Sequence, residues 1–219
     1  MRKGSTIQVK IDKTEFPSTG IGSVEGKKIY VKGAFPGQTV TGRVKKKREA
    51  YAELKLTSVD ERADYEISPS CEHFGICGGC TSQNLTYEKQ LDLLSEEFKA
   101  LFEEANMPLN NYKGIVGSKE QWEYRNKMEF TFGDFEKGGE LTLGMHMKGK
   151  SFGIVTVDKC LIVDEDFRTL IKATVDYFRA QNLPYYRVMK REGYLRHLVI
   201  RKAINTCLLY TSPSPRDTR

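Results

Sequence analysis

Three of the five cysteines lie within a ten-residue segment. Cys71, Cys77 and Cys80 form a C-x5-C-x2-C pattern, with Gly78 and Gly79 between the last two. Glycine adopts the positive φ angles that let a backbone turn tightly enough for two sulfurs to reach one centre. In a chain whose thiols are reduced, such a segment indicates metal binding or redox chemistry rather than structural disulfides.

A centre with four ligands needs one more thiolate, and Cys160, directly after an expected strand, is the natural candidate. Zinc takes four thiolates in a tetrahedron, usually from two C-x2-C pairs. Iron–sulfur clusters commonly use three clustered cysteines and one remote one. The spacing therefore favours a 4Fe–4S cluster over zinc. A zinc site formed by three cysteines and His73, and three buried thiols without a metal, stay open as alternatives.

The excess positive charge lies at the N-terminal end. The chain has 35 Lys and Arg residues against 29 Asp and Glu, which gives a net charge of +6. Residues 1–60 contain 13 of the basic residues and only 6 of the acidic ones. A basic surface attracts polyanions because each phosphate contact releases condensed counterions. We predict phosphate contacts for Lys45, Lys46, Lys47 and Arg48, with a solvated hairpin tip as the alternative for this run.

Residues 1–60 alternate between polar and apolar residues over short runs, the pattern of half-buried strands. Four or five such strands predict a small barrel of the OB type, a fold often used to hold nucleic acid. Residues 35–38 predict a type II turn with Gly37 at its third position. Residues 20–22 are interpreted as a hairpin loop, because their glycine spacing does not fit a dinucleotide-binding loop.

Two helices and further strands are predicted after the cysteine segment. A helix over 86–105, capped by Thr86, carries an apolar face that we assign to the core. A strand from about 122 places Arg125 and Lys127 on one face, where they would contact RNA or form salt bridges with Glu129. A second helix over 165–181 and a strand over 194–202 complete an α+β domain at 110–205.

The last fourteen residues, 206–219, do not fit this pattern. Pro213 and Pro215 cannot extend a sheet, and the string resembles translated adaptor or vector sequence, so we exclude it, with Cys207, from the fold. No apolar stretch is long enough to span a bilayer and no secretory signal is evident. We therefore expect a cytoplasmic protein without a membrane partner.

The motifs in their order carry a resemblance. A basic β-barrel is followed by Cys-x5-Cys-Gly-Gly-Cys, a helix, the stretch Trp-Glu-Tyr-Arg-Asn-Lys-Met-Glu-Phe at 122–130, and Asp-Lys-Cys at 158–160. This combination resembles the S-adenosylmethionine-dependent RNA uracil-C5-methyltransferases, in particular the 23S ribosomal RNA branch with an N-terminal TRAM domain. The resemblance covers about residues 4–205.

The resemblance implies a TRAM domain at 1–60, a cysteine-rich segment and helix at 61–109, a central domain at 110–205, and a 4Fe–4S cluster on Cys71, Cys77, Cys80 and Cys160. It implies RNA, ribosomal by branch, as the partner of a monomer. In the family a Rossmann-like domain performs methyl transfer, and we find no motif for it. We therefore expect an α+β fold class with an OB-like TRAM barrel and without that domain.

On this interpretation S-adenosylmethionine belongs to the intact parent, no catalytic residue is assigned, and the chain alone is expected to be inactive. Two other hypotheses are kept. One is a non-catalytic RNA-binding module with a structural zinc site held by four cysteines. The other is a radical enzyme with a TRAM domain, a class whose members use C-x3-C-x2-C rather than the C-x5-C-x2-C found here.

Overall fold

The computed structural model describes residues 1–15, 18–150 and 152–212. These residues divide into two compact units. The first comprises Met1–Ser68 and Thr81–Gly117, and the second comprises Pro69–Cys80 and the chain from Ser118 onward. The cysteine segment therefore lies in the second unit, whereas the helix that follows it lies in the first. No helix in the described part of the chain is long and apolar enough to cross a membrane.

The first unit is built on a closed five-stranded barrel with the strand order β1-β2-β3-β5-β4. Its β3 and β5 are parallel, the other pairs are antiparallel, and β1 closes the barrel against β4. Alternate residues point inward and form an apolar interior. The strands are β1 (Thr6–Glu15), β2 (Thr19–Val24), β3 (Lys27–Lys32), β4 (Thr39–Lys47) and β5 (Tyr51–Glu61).

Of the predictions for two glycine-containing segments in the barrel, one is wrong and one is confirmed. The interpretation of residues 20–22 as a hairpin loop is wrong, because they lie within β2. A Cβ at Gly22 would stand 2.1 Å from the carbonyl oxygen of Lys10, so glycine is required there for close strand approach rather than for a turn. The turn at 35–38 is confirmed: Gly37 has a φ of +83° and the Gln38 amide donates to the Phe35 carbonyl at 3.2 Å.

Helix α1 (Tyr87–Glu104) begins where predicted, with the Thr86 hydroxyl accepting a hydrogen bond from the Lys89 amide at 3.4 Å. The prediction that its apolar face is core is wrong. Leu101 is 59% exposed, and no residue of the helix is fully buried. Phe98 packs instead in a small aromatic group, 5.1 Å from the ring of Tyr112, so the stripe is only partly covered.

The second unit holds an antiparallel five-stranded sheet in the order β10-β9-β6-β7-β8. Helix α2 (Glu165–Ala180) buries Phe167, Ile171 and Val175 in the core of this unit, with Phe130 and Ile200 of the sheet. The strands are β6 (Lys127–Asp134), β7 (Leu141–His146), β8 (Ile154–Thr156), β9 (His197–Lys202) and β10 (Leu209–Ser212).

Three strand predictions in this unit need correction. Strand β6 begins at Lys127 rather than at about 122, and β9 begins at His197 rather than at 194. The prediction that the last fourteen residues do not extend a sheet is wrong for 209–212, which pair with β9 as an edge strand. Residues 213–219 lie outside the described residues.

Candidate functional site

The second unit brings together the four cysteines that the sequence assigns to one centre. Cys71 and Cys160 are buried, with 9% and 8% of their surface exposed, and Cys77 and Cys80 are half-buried. Cys160 belongs to the apolar core of this unit, and Cys77 and Cys80 pack against that core. The described thiols of Cys71, Cys77 and Cys160 form no disulfide.

The end of strand β7 holds the cysteine segment in place. The Gly78 amide donates to the His146 carbonyl at 2.9 Å, and the Lys148 amide donates to the Ile76 carbonyl at 2.7 Å. Within the segment, the Cys77 amide donates to the His73 carbonyl at 2.8 Å. A Cβ at Gly78 would stand 3.0 Å from the His146 carbonyl oxygen, so this glycine allows the segment to lie against the strand.

Cys160 lies in the loop between β8 and α2, and Arg168 of α2 fixes this loop. Its guanidinium donates to the Cys160 carbonyl at 3.2 Å and to the Val163 carbonyl at 2.9 Å, and it pairs with Glu123 at 2.9 Å. A planar guanidinium suits such a role because its donors point in fixed directions. Sequence reasoning missed Arg168, since its partners are backbone carbonyls that no residue pattern announces.

An ion pair joins the two cysteine-bearing segments. Lys159, next to Cys160, contacts the carboxylate of Glu72, next to Cys71, at 2.9 Å. Both side chains are mostly exposed, so the pair contributes little to stability, but it shows that the two segments are adjacent. Opposite charges beside two separate cysteines were the signal in the sequence that could have indicated this contact.

The four sulfurs influence one another electrostatically. Burial first, and then the nearby Cys71, Cys80 and Cys77, together raise the pKa of the Cys160 thiol to about 11. Burial likewise raises the pKa of Cys77, with Cys80 and Cys71 as additional causes. A buried thiolate without a positive partner is unfavourable, whereas a bound metal deprotonates a coordinating thiol. A bound cationic centre would therefore favour the thiolate forms of Cys77 and Cys160, which burial disfavours.

The described residues contain no group of three or more His, Cys, Asp or Glu side chains arranged around a single metal ion. The alternative zinc site with His73 as a ligand is likewise not assembled. His73 is half-buried, and its Nε2 makes no hydrogen bond within the described part of the chain. That atom stands 3.9 Å from a carboxylate oxygen of Asp158, a side chain outside the cysteine group.

The basic run at the end of β4 divides into two kinds of residue. Lys46 pairs with Glu53 at 2.9 Å and lies over the ring of Tyr51, and these contacts raise its pKa. The Lys47 ammonium donates to the Met1 carbonyl at 3.0 Å. Lys45 and Arg48 are exposed. A phosphate contact therefore requires no rearrangement at Lys45 and Arg48, whereas Lys46 and Lys47 already have partners in the barrel.

Arg125 and Lys127 do not share a strand, because β6 begins at Lys127. Both are exposed. The Arg125 guanidinium donates to the Lys127 carbonyl at 3.3 Å, and the Arg125 amide donates to the Ile162 carbonyl at 3.0 Å. Glu129, the proposed structural partner of both, lies 3.7 Å from His197 instead. Lys127 and Arg125 stay candidate RNA contacts on adjoining extended backbone.

Comparison with known proteins gives both a domain and relatives. Residues 2–56 match the TRAM domain family. An uncharacterized RNA methyltransferase of Clostridium tetani is 53% identical, over 94% of this chain and 45% of the relative. Proteins with the same description from Clostridium acetobutylicum and Caldanaerobacter subterraneus are 52% and 44% identical, over 94% and 93% of this chain and 45% of each relative. The chain thus spans about half the length of these relatives.

A solved structure shares the fold. It is Pyrococcus abyssi tRNA (uracil-54, C5)-methyltransferase in complex with S-adenosyl-L-homocysteine, with a TM-score of 0.64. The match covers 96% of this chain and 48% of that one, at 21% sequence identity.

These comparisons correct the predicted fold class. The expectation of a protein without the family's Rossmann-like domain is wrong, because the chain aligns over 94% of its length with 45% of an RNA methyltransferase and over 96% with 48% of a solved one. A chain that spans under half of its relatives gives no ground for a fold class defined by a missing domain. Residues 2–56 are a TRAM domain, and the chain is homologous to RNA methyltransferases along 94% of its length.

Proposed function

We propose that this chain is the RNA-binding and cluster-binding part of an S-adenosylmethionine-dependent RNA uracil-C5-methyltransferase of the cytoplasm. The observation that carries the proposal is that Cys71, Cys77, Cys80 and Cys160 lie in one unit, two of them buried and two half-buried, in a chain that also has a TRAM domain. The activity of the solved fold neighbour and its complex with S-adenosyl-L-homocysteine support the uracil-C5 and S-adenosylmethionine parts of the proposal.

The cysteine group suits a 4Fe–4S cluster better than a single zinc ion. Zinc requires all its sulfur ligands at about 2.3 Å from one atom. A cluster offers each thiolate its own iron, so its ligands stand further apart around a larger body. The preference for the cluster rests on the spacing of three clustered cysteines and one remote one, which is common among iron–sulfur ligands. When bound, the cluster would supply the positive charge that these buried thiolates lack.

The role of the cluster in this proposal is to position RNA-binding elements rather than to react with substrate. Its ligands come from the segment held to β7 and from the loop held by Arg168, so the bound centre would cross-link them. Arg125 and Lys127 are exposed and adjoin this second loop, since the Arg125 amide is bonded to Ile162. Fixing the loop would thus fix a cationic surface.

RNA binding is assigned first to the TRAM barrel, which carries the basic excess. Lys45 and Arg48 are exposed at the end of β4 and the start of the following turn. Each phosphate contact on single-stranded RNA adds about 0.7 to the slope of log affinity against log salt. Ribosomal RNA is proposed as the target class because the motif order resembles that branch of the family.

Methyl transfer is assigned to the whole parent protein. A nucleophilic thiol must be partly exposed and activated by a base or a positive neighbour. Cys71, Cys77, Cys80 and Cys160 are committed to the centre in this proposal, and the pKa of Cys77 and of Cys160 is raised rather than lowered. None of these four is therefore assigned as the nucleophile, and we propose that the 219-residue chain binds RNA without transferring a methyl group.

The test uses the chain purified under anaerobic conditions. Iron, acid-labile sulfide and zinc are measured per chain, and binding to ribosomal RNA and transfer RNA is measured over a range of salt concentrations. The proposal expects iron and sulfide in equal amounts, salt-sensitive binding with a preference for ribosomal RNA, and no labelled methyl incorporation. One zinc per chain without sulfide would reject the cluster, a preference for transfer RNA would reject the ribosomal target, and methyl incorporation would reject the assigned division of labour.

A further inference from the structure

The segment Pro184–Arg196, which we call the tyrosine hairpin, projects before strand β9. Its arms are joined by hydrogen bonds from the Tyr186 amide to the Leu195 carbonyl and from the Arg187 amide to the Glu192 carbonyl, both at 2.7 Å. Its second arm requires glycine, because Gly193 has a φ of +111° and a Cβ there would stand 2.1 Å from the Tyr185 carbonyl oxygen. The hairpin is thus a structured loop with a defined conformation.

The base of the tyrosine hairpin is anchored in the second unit. Leu195 is buried with 5% exposure and belongs to the apolar core of that unit. The Tyr185 ring packs against this core, and its hydroxyl donates to a carboxylate oxygen of Asp134 at 2.8 Å. The anchoring explains Leu195 and Tyr185, but it leaves the residues of the tip without a role in folding.

The hairpin combines exposed apolar side chains with positive charge. Val188, Met189 and Tyr194 are 75%, 90% and 73% exposed, far more than their apolar surface favours. The segment carries four cationic side chains and a single acidic one, Glu192. The cationic residues are Arg187, Lys190, Arg191 and Arg196. A protein-binding surface does not need this excess of charge, whereas a phosphate backbone does.

Arginine–tyrosine stacking extends the aromatic surface of the hairpin. The Arg196 guanidinium lies 3.8 Å from the centre of the Tyr186 ring, and that of Arg187 lies 5.3 Å from the centre of the Tyr185 ring. Stacked guanidinium groups and aromatic rings are the surfaces on which unpaired RNA bases stack. They also offer hydrogen-bond donors at their edges for phosphate or base oxygens.

We propose that the tyrosine hairpin is a binding site for single-stranded RNA. Arg187, Lys190 and Arg191 contact successive phosphates, and Tyr194 with the Arg196–Tyr186 stack contacts unpaired bases. This inference rests on the proposed function, since it requires that the chain binds RNA. It adds a second RNA-contacting surface, in the sheet unit, to the one assigned to the TRAM barrel.

The test compares two charge-matched triple variants. R187Q/K190Q/R191Q removes three charges from the hairpin, and K137Q/K150Q/K172Q removes three from exposed lysines elsewhere in the same unit. The probe is a fluorescein-labelled 20-nucleotide oligouridylate, with a duplex RNA of equal length as a second probe. We expect the hairpin variant to bind the single strand about tenfold more weakly, with a salt slope reduced by about 2 for three lost phosphate contacts. The control variant should change affinity by less than about threefold, because removing net charge alone weakens only the long-range field.

A single-residue pair tests the stacking contact independently of charge and of the triple variant's folding. Y194A should weaken binding of the oligouridylate by about fivefold or more, and Y194F should bind like the wild type because it keeps the ring. Thermal unfolding monitors the fold of each variant. The hairpin assignment would be overturned if the two triple variants bound the oligouridylate with equal affinity, or if Y194A bound it as tightly as the wild type. A loss of affinity that is confined to duplex RNA would overturn it as well. A wild-type chain that binds neither RNA would instead overturn the proposed function on which it rests.

Discussion

Replacing Arg168 with methionine is expected to release the loop that carries Cys160. Methionine keeps much of the aliphatic volume but removes the donors to the Cys160 and Val163 carbonyls and the partner of Glu123. A hydrogen bond from a charged donor contributes about 1.5 to 3 kcal/mol, and the two bonds to backbone carbonyls are counted here. Water replaces part of this, because 21% of the Arg168 side chain is exposed. The net cost of R168M is therefore about 2 to 3 kcal/mol.

The cost should appear as faster exposure of one particular thiol. Cys160 is 8% exposed, so an alkylating reagent reaches it only when its loop opens. Since 1.4 kcal/mol corresponds to a factor of ten, R168M should raise the labelling rate of Cys160 by about 30- to 140-fold. The assay uses metal-free protein with chelator and reductant present, and peptide mass spectrometry separates Cys160 from the other thiols.

The matched control is R179M, on the same helix. Arg179 donates to the Leu141 carbonyl at 2.8 Å and pairs with Glu140 at 3.2 Å, so it also loses a backbone bond and an ion pair but does not contact the Cys160 loop. The Cys160 labelling rate of R179M should stay within about threefold of the wild-type rate under native conditions, in which only local opening exposes the thiol. Equal acceleration in both variants, or none in R168M, would refute the assignment of Arg168 as the residue that positions this loop.

Other expectations concern the ends of α2 and the closed barrel. Lys202 and the Asp166 amide hold the pKa of Asp164 below its usual range, so this stabilisation is present above about pH 4 and is lost as pH falls through the lower folded value. D164A should reduce the free energy of unfolding by about 1 to 2 kcal/mol at neutral pH, and D164N should reduce it by less because asparagine keeps the helix cap. Urea titrations should show that both differences from the wild type shrink in acid. Differences that do not depend on pH would contradict this expectation. G22A places a Cβ 2.1 Å from a carbonyl oxygen, so it should lower the free energy of unfolding by more than about 4 kcal/mol or prevent folding. G26A has open space around its Cβ but a φ of +73°, so it should lower the free energy of unfolding by about 1 to 2 kcal/mol. Equal melting temperatures for the two glycine variants would show that the close strand approach at Gly22 is not a constraint.

Local sequence signals located most elements of the protein. Thr86 marks the start of α1, and the three- and four-residue recurrence of Phe167 and Ile171 marks the buried face of α2. Alternation in the first sixty residues located strands because half-buried strands have one face in water. The grouping of Cys160 with the earlier cysteines followed from the demand of a four-ligand centre and stays a prediction; Cys160 lies in the core against which Cys77 and Cys80 pack.

Features that depend on tertiary approach were not accessible in this way. Gly22 was interpreted as a loop residue because a sequence does not show that the Lys10 carbonyl passes within reach of a Cβ. The exposed face of α1 has the same periodicity as a buried one, and only its neighbours decide which it is. Arg168 could not be identified as the support of the Cys160 loop, because backbone carbonyls have no signature in the sequence.

The central claim is that one inorganic centre joins Cys160 to the three clustered cysteines. The most direct test measures the iron and sulfide content of C160S after anaerobic purification, with C77S and C207S purified in the same way for comparison. Cys207 is exposed and takes no part in the proposed centre. The account predicts that C160S and C77S lose iron, sulfide and their visible absorbance to the same extent, while C207S keeps the wild-type content. Unchanged iron and sulfide in C160S would contradict it.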